Sequence, residues 1–171
     1  MKINWKEVIK NTLVIVVIAV ISGGLLAIVN YFTKVEINNA AELANFAKYY
    51  PAGAEYEEID LSAYPAANTK NVLVAGRCGT VYAYLTKQKG YVADINVYVF
   101  IENNIIKHVE LGTQSESIST GITNRDWLNS FNNIAVSGSL DAVSAASPSS
   151  VSRAAVKKAV ETAITIHKLI V

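Results

Sequence analysis

The residues best suited to chemistry stand together near the C-terminus, in Asp141-Ala142-Val143-Ser144-Ala145-Ala146-Ser147-Pro148-Ser149-Ser150. Ser followed by Pro is the pair expected at a helix N-cap and first turn, so Ser147 and Pro148 are predicted to open a C-terminal helix. A hydroxyl in that place faces free backbone amides and the positive end of a helix dipole, a natural seat for phosphate. Ser144, Ala145 and Ala146 are small and leave the backbone approachable by a bulky ligand or a modifying enzyme. Ser149 and Ser150 add donors in the first turn. The same residues also suit an ordinary capped helix with no ligand, and the spacing by itself leaves both readings open.

Other reactive side chains are sparse. Cys78 is the single cysteine, so no internal disulfide forms, and its setting in Gly76-Arg77-Cys78-Gly79 predicts a small buried residue. His108 and His167 are the remaining soft donors, without the paired spacing of a zinc site, and no metal is expected on this chain.

The elements that must position the serine segment follow from periodicity. Ser137 to Ser152 is rich in Ser and Ala and reads as a flexible loop leading into the last helix. In that helix Val156, Ala159, Val160, Ala163 and Ile164 form an apolar stripe. Arg153, Lys157, Lys158 and Glu161 oppose the stripe, and His167 continues it at the core edge. Upstream, Ile37 to Tyr50 suggests a helix stopped by Pro51 and Gly53. Val72 to Ala75 and Thr80 to Thr86 read as short strands, with a turn at Lys87 to Gly90. Tyr91 to Ile101 alternates, placing Tyr91, Ala93, Ile95, Val97, Val99 and Ile101 on one face. Asn103-Asn104 makes a hairpin turn into Ile105 to Leu111, with His108 half-exposed. Asp126 to Phe131 suggests a short helix. The sum is an α+β domain with a mainly antiparallel sheet and packed helices.

Thr12 to Phe32, TLVIVVIAVISGGLLAIVNYF, carries no charge. As a helix it spans about 31 Å, the thickness of a hydrocarbon core. Lys2, Lys6 and Lys10 precede it, so the positive-inside rule places the N-terminus in the cytoplasm, with Trp5 and Tyr31 at the two interfaces. The apolar run is longer than a signal-peptide core and lacks a small-x-small cleavage site after it, which favours a retained anchor. The expected organisation is a cytoplasmic stretch over 1–11, a transmembrane helix over 12–33 and an extracytoplasmic domain over 34–171. With a net charge of +1 over 171 residues and no basic run, nucleic acid is excluded as the main partner.

The serine segment resembles the flavinylation motif of FMN-binding domains in the G subunit of Rnf complexes and the C subunit of sodium-pumping NADH:quinone oxidoreductase. That motif is Asp, two variable residues, Ser or Thr, a small residue that is usually Gly, Ala, then Thr. Asp141, Ser144, Ala145, Ala146 and Ser147 fill these places, with Ala145 standing for Gly and Ser147 for Thr. The resemblance implies a phosphoester between FMN and the Ser147 hydroxyl, made by a flavin transferase, with Ser144, Ser149 and Ser150 as alternative acceptors. The order of elements is similar too, through Pro51-Ala52-Gly53-Ala54 and Lys89-Gly90-Tyr91. Of the family's Glu-Thr-Pro-Gly-Leu-Gly loop, which packs on the flavin, Glu116, the hydroxyl of Ser117 and Gly121 are kept.

The implied function is a covalent-FMN electron-transfer subunit, anchored in the plasma membrane and assembled with other membrane subunits of an Rnf-type complex. Such a complex moves electrons between ferredoxin and NAD and couples this to Na⁺ or H⁺ transport. Two alternatives remain at this level: a flavin-less accessory subunit, and a stand-alone anchored flavoprotein.

Overall fold

The computed structural model describes residues 5–33, 39–116 and 121–171. The chain divides into two units, 1–36 and 37–171, each described by itself.

The first unit is one helix, α1, Trp5–Thr33. Within it Val8–Leu26 is long and apolar enough to cross a membrane. The helix begins before the expected span because Trp5 to Lys10 continue it without a breaker. The side chain of Tyr31, expected at an interface, lies outside the described residues.

The second unit is α+β. Its elements are α2 (Asn39–Tyr49), β1 (Glu57–Glu58), a 3₁₀ turn (Leu61–Ala63), α3 (Ala66–Thr69), β2 (Val72–Cys78), β3 (Val81–Lys89), β4 (Asp94–Glu102), β5 (Ile105–Leu111), α4 (Arg125–Asn129) and α5 (Ser150–Ile170). The strands form one antiparallel sheet in sequence order, β1 to β5. Short connections explain the order from β2 to β5, because a tight turn can only join antiparallel neighbours. Asn103 and Asn104 at positive φ make the β4–β5 turn as expected.

Helices cover both faces of the sheet. On one side Ile95, Val97, Val99 and Ile101 meet the α5 stripe of Val156, Ala159, Val160 and Ala163, all fully or almost fully buried. On the other, Tyr98 and Phe100 pack with Val74, Ala83 and Leu85 beneath Phe46 of α2. Alternation predicts only the first face. The second becomes apolar because α2 folds back over it, and Phe46 sits edge-on to the rings of Tyr56, Tyr98 and Phe100.

Several expectations change. Lys87 to Lys89 are strand, paired with Asn96, Ile95 and Asp94, and the turn lies one step later at Gly90 to Ala93. Tyr91 therefore leaves the sheet and is 70% exposed. Cys78 ends β2 beside the Gly79 turn and is only partly buried, as a hairpin end has no layer above it. His167 is core rather than core edge, because it is enclosed by Tyr82, Tyr84 and Asn104. Its ring accepts from the Tyr84 hydroxyl at 2.8 Å through Nδ1 and donates to Asn104 Oδ1 at 2.9 Å through Nε2, the tautomer this pairing requires. Burial lowers its pKa from 6.5 to about 4. His108 is half-buried as expected, 3.5 Å from Glu110, and burial lowers its pKa as well.

Candidate functional site

Glu116 ties the turn between β3 and β4 to Ser152 in α5, and Gly121 stands against the serine segment. Glu116 is the hub. Its carboxylate accepts from the amides of Tyr91 at 3.1 Å, Val92 at 3.0 Å and Ala93 at 3.0 Å, and from the Ser152 hydroxyl. Burial raises its pKa, but the hydroxyl and the three amides outweigh burial and hold it at about 2. A Cβ at Gly90 would stand 2.6 Å from Glu116 Oε1 and 2.9 Å from the Ala93 carbonyl, so the turn can close on the carboxylate only around glycine. All four described hydrogen bonds of the Glu116 carboxylate run to the chain's own donors. Its place is to lock the β3–β4 turn onto the first turn of α5.

Helix α5 begins at Ser150, not at Ser147 or Pro148. The Ser147 hydroxyl instead closes a local turn, accepting from the Ser149 amide at 3.1 Å and lying 3.2 Å from the Ser149 hydroxyl. Ser149 precedes the helix with non-helical φ and ψ and makes no side-chain cap. The Ser-Pro pair reads as a cap in isolation, but the Ser147 hydroxyl is used by the Ser149 amide, one residue before the helix starts.

The hydroxyls differ in access. Ser147 is half-buried, Ser144 and Ser150 are exposed, and Ser149 is buried. Gly121 backs onto Ser147 and Ser149: a Cβ there would stand 1.6 Å from Ser149 Oγ and 3.7 Å from Ser147 Oγ. The close approach requires a residue without a side chain. The structure thus brings Glu116, Gly121, Ser147 and Ser149 into one neighbourhood. Asp141 stands apart, its side chain 93% exposed and 3.9 Å from Lys157. Ser117 lies outside the described residues.

Three further residues complete the neighbourhood. Trp127, capped in α4 by Asn124, donates through Nε1 to the Ser144 carbonyl at 2.7 Å. Arg153 donates to the Gly121 carbonyl at 2.9 Å through Nε and to the Ala146 carbonyl at 3.3 Å through Nη1. Its guanidinium stands 4.7 Å from the Trp127 ring centroid. Ser152 bonds Glu116. The helical period puts Arg153 on the polar face, where solvent is the default, and nothing local to the sequence marks the carbonyls it meets. The segment read as a flexible loop is pinned by these bonds and by the buried Leu140 and Val143.

A half-accessible hydroxyl, a side-chain-free wall at Gly121 and a cation bonded to the adjoining carbonyl fit a phosphate group. Residues 1–47 match the family model of the RnfG N-terminal region, which takes in α1 and most of α2 and supports an RnfG-like subunit. No curated protein matches the chain.

Proposed function

We propose that this RnfG-like chain is a membrane-anchored, extracytoplasmic electron-transfer subunit of an Rnf-type complex, carrying FMN as a phosphoester on Ser147. The observation that carries the reading is the seat of Ser147: a half-accessible hydroxyl against Gly121, next to a carbonyl held by Arg153. The resemblance of Asp141 to Ser147 to a flavinylation motif supports the identity of the group, and the match over 1–47 supports the assembly.

When bound, FMN supplies the redox chemistry. The chain's residues supply attachment and a fixed environment. Ser147 offers the oxygen, and the small residues Ala145 and Ala146 leave room for the transferase to reach it. Glu116 keeps the neighbouring turn and α5 in register. Covalent attachment suits an extracytoplasmic site, where a dissociating flavin would be lost by dilution. Anchoring through α1, with Lys2, Lys6 and Lys10 on the cytoplasmic side, holds the domain at the surface where membrane partners lie.

In-gel flavin fluorescence of the denatured full-length protein, beside Ser147→Ala from the same host, tests this. A bright native band and a dark variant are expected. Fluorescence that survives the change moves the bond to another hydroxyl, with Ser150 and Ser144 the exposed ones. A dark native band in a host shown to flavinylate other proteins overturns the reading and leaves a flavin-less accessory subunit.

A further inference from the structure

We propose that Arg153 is a positioning residue for flavin attachment: it holds the acceptor segment in place and offers the positive charge that the phosphodiester meets. This rests on the reading of Ser147 as acceptor.

Between Asp141 and Ser149 the chain has no helix or strand, so its shape depends on a few bonds. Ser144 accepts from the Ala146 amide at 3.2 Å and Ser147 from the Ser149 amide at 3.1 Å, both within the segment. Beyond the bonds made by its flanking residues and by the α5 backbone, the side chains among the described residues that reach its backbone are Trp127 on the Ser144 carbonyl and Arg153 on the Ala146 carbonyl, one residue before the acceptor. Stacking of Arg153 on Trp127 joins the two ties, and its bond to Gly121 fixes the wall behind Ser147 to the same group. Three contacts set the plane of the guanidinium, an arrangement lysine cannot copy because its ammonium has neither the fork nor the stacking face.

The charge is the second argument. Both described hydrogen bonds of the Arg153 guanidinium end on neutral carbonyls, and among the described residues no carboxylate lies within ion-pair distance of it. The neighbouring cations differ: Lys157 faces Asp141, and Arg125 pairs with Glu110 at 2.7 Å. A partly buried guanidinium without a counter-charge is suited to an incoming anion.

In the transfer itself Ser147 Oγ bonds to the FMN phosphorus of FAD. The phosphorus–oxygen bond to the AMP phosphate breaks, AMP leaves with the bonding pair, and the hydroxyl proton passes to a base of the transferase. Nothing is oxidised or reduced. The product is a diester with one negative charge beside Arg153.

The test follows flavin uptake by the full-length protein from FAD and purified flavin transferase, comparing native protein, Arg153→Ala, Arg153→Met and Arg153→Lys at matched thermal midpoints. Loss of one charge-assisted contact predicts a fall in initial rate on the order of tenfold or more in Arg153→Ala and Arg153→Met. Partial recovery is expected in Arg153→Lys and, for Arg153→Ala, on adding millimolar guanidinium ion. A purely structural arginine would not respond to the dissolved ion. Undiminished uptake in Arg153→Ala and Arg153→Met overturns the proposal, as does a loss that neither lysine nor guanidinium relieves. If native and variant proteins are dark alike, the parent reading of Ser147 fails; a bright native protein with unimpaired variants overturns Arg153 alone.

Discussion

Helix α5 is fastened to the sheet by a buried polar cluster at each end, and the two clusters are built in opposite ways. At its C-terminal end His167 links Tyr84 to Asn104 in a chain of neutral groups. At its N-terminal end Ser152 meets Glu116, a carboxylate kept ionised by three amides. Both satisfy the groups they bury. Only the N-terminal cluster continues outward into a half-accessible hydroxyl, at Ser147, and a cation with no ion-pair partner among the described residues, at Arg153. A polar cluster that closes on itself fixes a fold; one with groups left over can also hold a ligand.

Changes at the two ends separate these roles. The largest loss is expected from Glu116→Ala, which strands three amides and a hydroxyl and costs about 3 kcal/mol or more, read from the urea midpoint. Glu116→Gln keeps one acceptor oxygen and should cost less. An equal cost for both would mean that one neutral acceptor oxygen recovers nothing and that the ionised carboxylate carries the whole effect.

Acid should weaken the ends in sequence. His167 is held near pKa 4 against 6.5 unfolded, so the unfolded chain binds the extra proton first. Stability falls from pH 6.5 to about 4, by up to about 3 kcal/mol. Glu116 is held near 2 against 4.5 unfolded, so its stabilisation is complete above pH 4.5 and is lost from there down to about 2. His167→Phe should cost about 1–3 kcal/mol at neutral pH, since it strands the Tyr84 hydroxyl. It should also flatten the upper limb of the pH–stability curve down to the small slope left by His108, while the lower limb stays. An unchanged upper limb would show that His167 is not its source.

The smallest effect is expected from Asp141→Asn. Its side chain is almost wholly exposed, and its contact with Lys157 is long. The unfolding midpoint should move by less than about 0.5 kcal/mol. Reduced flavin uptake in the same variant would assign Asp141 to recognition by the transferase, whereas a large stability loss would contradict the exposed placement.

Much of the fold was legible in the residues themselves. The charge-free run within α1, the Asn-Asn turn and the α5 stripe are local signals: hydropathy over one span, positive φ at two positions, and a 3.6-residue period. The limits of β3 and β4 were not, because Lys87-Gln88-Lys89-Gly90 resembles a turn until β4 pairs in register beside Lys87 to Lys89 and the Lys87 amide donates to the Asn71 carbonyl at 2.8 Å. The apolar second face of β4 was hidden for a similar reason, since only α2 folding back makes Tyr98 and Phe100 interior.

The candidate site divides along the same line. The chain's own order determined which hydroxyls stand near Asp141 and how small their neighbours are. Tertiary structure decided that Ser149 is buried, that Glu116 spends its carboxylate on the β3–β4 turn, and that Arg153 turns from the polar face of α5 to the carbonyls of Gly121 and Ala146. Local order sets backbone preference and side-chain period over one or two turns. The partners of the Glu116 carboxylate, and the Gly121 carbonyl that Arg153 meets, come from segments tens of residues away, and only packing brings those together.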